Sequence, residues 1–154
     1  MEKYLEKLVV FQFSLKIFSF FALKKWYRLV KIQTDFVAWL NLKLNRPQAT
    51  TSTQELADTW VHLMPPDGRD FFKIDKIEAD TAFVEIHLHC PLRGTGDVQA
   101  CYQLMNYDRA LIDKVGGNLV VLESQSNSGR SYCKLAIRKK GLSADDLIPA
   151  HKTV

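Results

Sequence analysis

A chain of 154 residues with 47% hydrophobic and 25% charged residues, only 7 Gly and 5 Pro, has the composition of one ordinary globular fold. That composition excludes a collagen-like rod and a low-complexity tail protein, and three cysteines that cannot all pair within one chain exclude a disulfide scaffold. The net charge of +4 is uneven: residues 1–46 carry nine Lys/Arg against Glu2, Glu6 and Asp35, whereas the rest of the chain is slightly acidic.

The sequence divides accordingly into a basic, aromatic helical segment (1–46), an α+β domain (47–141) and a polar tail (142–154). Residues 3–45 contain no Gly or Pro and read as helix with a break near residues 23–25. This segment holds six of the nine Phe together with Trp26 and Trp39. Within 8–23 only Gln12 and Lys16 are strongly polar, yet sixteen residues fall short of the ~20 needed to span a bilayer core. Glu2, Glu6, Lys16 and Lys24-Lys25-Trp26 do not fit a secretory signal, so the expectation is a cytoplasmic protein. Lysines interleaved with core-type aromatics and no recognised motif argue against nucleic-acid binding. The segment either packs on its own domain or docks on a membrane surface or partner. In the second case Phe13, Phe18, Phe21 and Trp26 stay exposed inside a rim of Lys16, Lys24, Lys25 and Arg28, a surface that also favours a homo-oligomer.

Asn45-Arg46-Pro47 ends the helical segment, and Ser52 to Glu55 has capping-box spacing, which predicts a short helix through Leu56, Trp60 and Leu63. Pro65-Pro66-Asp67-Gly68 is turn chemistry. Two β-type runs follow, 71–78 and 81–90, the second placing Ala82, Val84, Ile86, Leu88 and Cys90 on one face. After the loop Pro91 to Gly96, Asp97 caps a helix over 98–115 whose inward face is Cys101, Leu104, Met105, Asp108, Leu111 and Ile112. Gly116-Gly117 stops it, and strands over 119–123 and 132–138 complete the fold. The predicted class is α+β: N-terminal helices, then an antiparallel sheet of about four strands with a helix between two hairpins.

Candidate chemistry lies among Cys90, Cys101, Asp108, Glu123 and Cys133, with His87 and His89 nearby in sequence. No CxxC knuckle occurs, and by spacing alone these thiols read as ordinary buried cysteines. Asp108 reads equally as a capping acid, and Arg93, between Leu92 and Gly94, as a loop residue. Gly94-Thr95-Gly96 is not a phosphate loop, since no Gly-Lys-Ser/Thr follows.

Cys101-x6-Asp108, Gly116-Gly117, Leu119-Val120-Val121-Leu122-Glu123 and Ser128-Gly129-x3-Cys133-Lys134-Leu135 together resemble the core of the 2-amino-thiazoline-4-carboxylate hydrolase family. The same stretch is similar to the related bacteriochlorophyll 4-vinyl reductase-type small-molecule-binding domain. The resemblance spans about a third of the chain. It implies Cys101 or Cys133 as nucleophile, Asp108 as proton acceptor and Arg93 as a clamp for a substrate carboxylate. It also implies a zinc ion on Cys101, Glu123 and Cys133. Ser126 stands where a fourth ligand would lie, which suits an open catalytic position. The function expected first is a small hydrolase-like protein acting on a carbon–nitrogen or thiazoline substrate. The alternative is a non-catalytic small-molecule- or lipid-binding module whose N-terminal helix docks on a membrane or partner.

Overall fold

The computed structural model describes residues 2–153. The N-terminal helical segment breaks twice, into α1 (Glu2–Leu5), α2 (Leu8–Leu23) and α3 (Tyr27–Asn45). Between α2 and α3, Lys25 takes a left-handed backbone (φ 62°) and the Trp26 N–H donates to the Phe21 carbonyl at 3.1 Å, reversing the chain in three residues. The start of α2 is capped from a distance: the Asp67 carboxylate accepts the Leu8 N–H at 2.7 Å, an anion placed at a helix N-terminus. Small residues, Ser19 and Ala22 on α2 and Val30, Thr34 and Ala38 on α3, supply the most buried positions of the pair. Phe11, Leu15, Phe18 and Phe21 pack against the core. The expected exposed set is therefore half corrected. Phe13 and Trp26 are exposed, but Phe18 and Phe21 turn inward and Phe20 takes the outer position instead.

Helix α4 (Thr53–His62) starts as its capping box predicts, with the Glu55 N–H donating to the Ser52 hydroxyl at 3.4 Å. The Glu55 carboxylate takes the Thr50 hydroxyl rather than closing the reciprocal bond. A 3-10 turn (Pro66–Phe71) leads into β1 (Phe72–Glu78) and β2 (Thr81–Ile86). Helices α5 (Val98–Leu104) and α6 (Asn106–Lys114) follow, then β3 (Gly117–Glu123) and β4 (Cys133–Lys139). The four strands form one antiparallel sheet in the order β1-β2-β4-β3, so the fold is α+β with the helices first and a helical pair between two hairpins.

Register aligns the inner face in rows: Ala82, Ile137 and Leu119; Val84, Leu135 and Val121; and, at one end, Phe72, Ile86 and Cys133. Helices α4 and α6 pack against this sheet, and Leu56, Trp60, Leu111 and Ile112 are fully buried there. Gly117 is needed for that approach, because a Cβ at this position would stand 2.7 Å from Ile112 Cγ2.

Three boundaries differ from expectation. β2 stops at Ile86 instead of running to residue 90: after His87 donates to the Phe71 carbonyl at 2.7 Å, the chain leaves the ladder and Cys90 sits in a loop. The expected single helix over 98–115 bends at Met105 (φ −71°, ψ 0°), and beyond the bend the neighbours Tyr107 and Asp108 are both buried. The polar tail docks on the fold. Asp146 pairs with Arg138 (Nη2 to Oδ2 2.7 Å), Ala150 is buried in a second 3-10 turn (Ala150–Lys152), and the Gln99 amide donates to the His151 carbonyl at 3.0 Å.

A cavity walled by three thiols

Above the Phe72, Ile86, Cys133 row the sheet, α5–α6 and the inner faces of α2 and α3 leave a cavity of about 80 Å³. At ~10–15 Å³ for each water-sized sphere, that is room for a ligand of a few heavy atoms. Its surface is overwhelmingly apolar. Phe11, Leu15 and Phe18 of α2 close one side, Leu104 and Met105 another, and all three cysteines reach it: Cys90 from the loop after β2, Cys101 from α5 and Cys133 from the start of β4. Asp108 and Gln125 supply polar atoms at its edge.

Asp108 lies in the first turn of α6 and is buried. One oxygen, Oδ1, accepts the indole N–H of Trp60 at 2.9 Å. Burial pushes this carboxyl up to about 6, while the Trp60 bond and nearby Arg109 hold it from rising further. A carboxyl titrating near neutral pH in a cavity can accept a proton or hold one.

The thiols behave differently. Burial pushes Cys101 up to about 12, with Cys133 beside it adding to the rise and the Ser124 hydroxyl and Arg109 offsetting part. Burial likewise raises Cys133 to about 11 against the pull of the Gln125 N–H, which donates to its sulfur at 3.4 Å. Cys90 is also raised by burial, partly countered by the Leu92 N–H and Arg93. At neutral pH Cys101 and Cys133, raised to about 12 and about 11, stand almost entirely as thiols. The expected cysteine nucleophile is thus not activated: no histidine lines the cavity, and both His87 and His89 lie outside it.

Two further expectations are corrected. Glu123 does not line the cavity. Its Oε2 lies 2.8 Å from Arg130 Nε on the partly exposed end of β3, where the register slips between Val121 and Glu123. Among the described residues no group of three or more His, Cys, Asp and Glu is placed to hold a metal ion, so Cys101, Glu123 and Cys133 do not form the implied zinc site. Arg93, expected as a clamp for a substrate carboxylate, does not line the cavity. Its Nε donates to Gln125 Oε1 at 2.8 Å and its Nη2 to the Ser131 carbonyl at 2.9 Å, so the guanidinium fastens the β3–β4 loop to the loop after β2.

Gln125 is the residue that sequence reasoning missed. It lies in Ser124-Gln125-Ser126-Asn127-Ser128-Gly129, the segment that joins the last two strands, where Ser124, Gln125 and Ser126 are each 1% exposed. The amide is fully employed: Oε1 accepts from the Cys90 N–H (3.2 Å) and Arg93, and Nε2 donates to the Leu88 carbonyl (2.9 Å). Backbone bonds from Gly94 to the Gln125 carbonyl and from Gly96 to the Ser126 carbonyl complete the seam. Gly94 and Gly96 both stand at positive φ, the conformation that glycine adopts freely, and the sequence carries no signal that singles out Gln125.

Comparison with family models gives no match, and no similar curated protein or solved structure is found.

Proposed function

We propose that this protein is a non-catalytic binding module that takes a small apolar or aromatic molecule into the thiol-walled cavity. The observation that carries the reading is the wall itself: soft thiols and hydrocarbon make up most of it, and the buried Asp108 carboxyl is among its few polar groups. Apolar pockets with a single orienting polar group are the common form of small-ligand sites. The favoured ligand carries one O–H or N–H that donates to Asp108, and its remaining surface meets Cys101, Cys133, Leu104 and Phe18.

Thermal melting with phenol as the probe, supported by xenon NMR of the cavity, tests this. The expected result is a saturable rise in Tm, reduced in Asp108→Asn and abolished in Leu104→Phe, which grows into the space. Absence of any shift, or an equal shift in all three proteins, overturns the proposal.

A hydrolytic reading on a carbon–nitrogen or thiazoline substrate is favoured by one observation alone, the Asp108 carboxyl at about 6. It requires Asp108 to take the proton of an attacking water, since the cysteines are not ionised. Turnover of a thiazoline carboxylate that disappears in Asp108→Asn but survives in Cys101→Ser decides for it.

A further inference from the structure

Helices α2 and α3 repeat one outward pattern. Phe13, Ile17, Phe20 and Lys24 on the first, and Ile32, Phe36, Trp39 and Lys43 on the second, share the spacing i, i+4, i+7, i+11. That spacing keeps each set on a single stripe of a helix. The stripes are not covered: exposure of their six apolar residues runs from 37% at Ile17 to 66% at Ile32, and Trp26 between the two helices is 56% exposed. Each stripe ends in a lysine above its last aromatic ring, Lys24 at 5.8 Å from the Phe20 centroid and Lys43 at 4.9 Å from that of Trp39. Exposed apolar area of this extent, rimmed by charge, marks an interaction surface.

The charge identifies what covers it. From Lys7 to Lys43 the segment holds seven Lys/Arg and a single acid, Asp35, which is already bonded to Lys31 and Asn106. A second copy laid face to face would set these cations against each other. An acidic protein groove would answer the charge but not two stripes of apolar and aromatic side chains, each ending in a lysine over a ring. Aromatic and aliphatic side chains beneath snorkelling lysines are the pattern that meets a bilayer interface. No helix among the described residues is long and apolar enough to cross a membrane. At 1.5 Å per residue α2 reaches only ~24 Å against a hydrocarbon core of ~30 Å, so it lies along the surface.

We infer that the outer face of α2–α3 docks on an anionic lipid surface, with Phe13, Phe20, Trp26, Phe36 and Trp39 entering the interface and Lys16, Lys24, Lys25, Arg28 and Lys43 meeting the headgroups. Because Phe11, Leu15 and Phe18 on the opposite side of α2 close the cavity, the docked face is one helix away from it.

Vesicle flotation of the full chain tests the assignment, using phosphatidylcholine with and without about 30% phosphatidylserine at roughly 50 and 500 mM salt, where screening shortens several-fold. The expected result is binding to the anionic vesicles at low salt that falls steeply at high salt. Lys24→Ala with Lys43→Ala weakens it roughly tenfold to thirtyfold, at about a factor of five per lysine. Phe20→Ser with Phe36→Ser weakens it by about tenfold or more through lost apolar insertion. Trp26 and Trp39 emission shifts to the blue on binding, and Trp60, already buried, does not contribute. No binding at low salt, or equal binding to neutral and anionic vesicles, overturns the inference. So does a dimer that Phe20→Ser with Phe36→Ser dissolves while vesicles stay unbound, which assigns the face to a second copy.

Discussion

The seam around Gln125 and the outer face of α2–α3 invert the usual distribution of residue types in opposite directions. In the seam, a Ser-Gln-Ser run is drawn into the interior and held there by bonds to Leu88, Cys90 and Arg93; on the helices, a row of Phe and Trp stands in solvent. Burial of polar groups is tolerable where every donor and acceptor finds a partner, and exposure of aromatics signals a missing neighbour. The two regions therefore differ in what holds them. The seam is held by internal bonds, and the helical face makes little use of its outer side chains for stability.

That contrast can be broken most forcefully at Gln125. Replacing it by Leu keeps the volume but strips a partner from the Leu88 carbonyl, the Cys90 N–H and the Arg93 guanidinium together. At ~1–3 kcal/mol for each buried group left unsatisfied, the expected loss is about 3–5 kcal/mol in urea unfolding. Phe36→Ser on the exposed stripe should change stability by no more than about 0.5 kcal/mol. Similar losses in both variants would mean that the outer aromatics stabilise the fold and are not free for a partner.

Asp108 sharpens the comparison next, because burial raises its carboxyl toward neutrality. Its carboxyl, ordinarily at 3.8, is raised to about 6 in the folded protein. Between those values the native state holds a proton that the unfolded state has released. The contribution is full below about pH 4 and is lost as pH rises through about 6. A shift of this size corresponds to at most about 3 kcal/mol. Urea midpoints measured from pH 4 to pH 7 should fall across that window for the native protein and stay flatter for Asp108→Asn, which preserves the Trp60 bond. A profile unchanged by the substitution removes Asp108 as the titrating group.

How much of this was legible follows from the range of the signals. Local signals carried well: Ser52 and Asp97 cap their helices, accepting from the N–H groups of Glu55 and Ala100, and the spacing of Cys101, Leu104, Asp108 and Leu111 placed all four inside. Order alone brought Cys101 and Cys133 toward the same part of the sheet, and both line the cavity. What escaped depends on tertiary partners. The burial of Gln125 is decided by groups more than thirty residues away in sequence. The end of β2 depends on Phe71, and the inward turn of Phe18 and Phe21 on the helices beneath them. The position of Glu123 escaped for a related reason: the slip in register next to it cannot be seen in an alternating strand pattern.

That slip leads to the smallest expected effect. Glu123 at the end of β3 meets Arg130 from the loop that follows, with side chains 36% and 52% exposed. Water screens such a pair, and exposed ion pairs typically contribute below ~1 kcal/mol. Glu123→Gln should therefore lower stability by about 0.5 kcal/mol at low salt and by less at high salt. If Glu123 instead served a metal with Cys101 and Cys133, the native protein would gain several degrees in Tm on adding zinc and lose them on chelation, and the substitution would abolish both responses. The geometry predicts that zinc and chelator leave the Tm of both proteins where it was. A zinc response present in the native protein and missing in Glu123→Gln would mean that the β3–β4 loop rearranges to bring this carboxylate to the thiols.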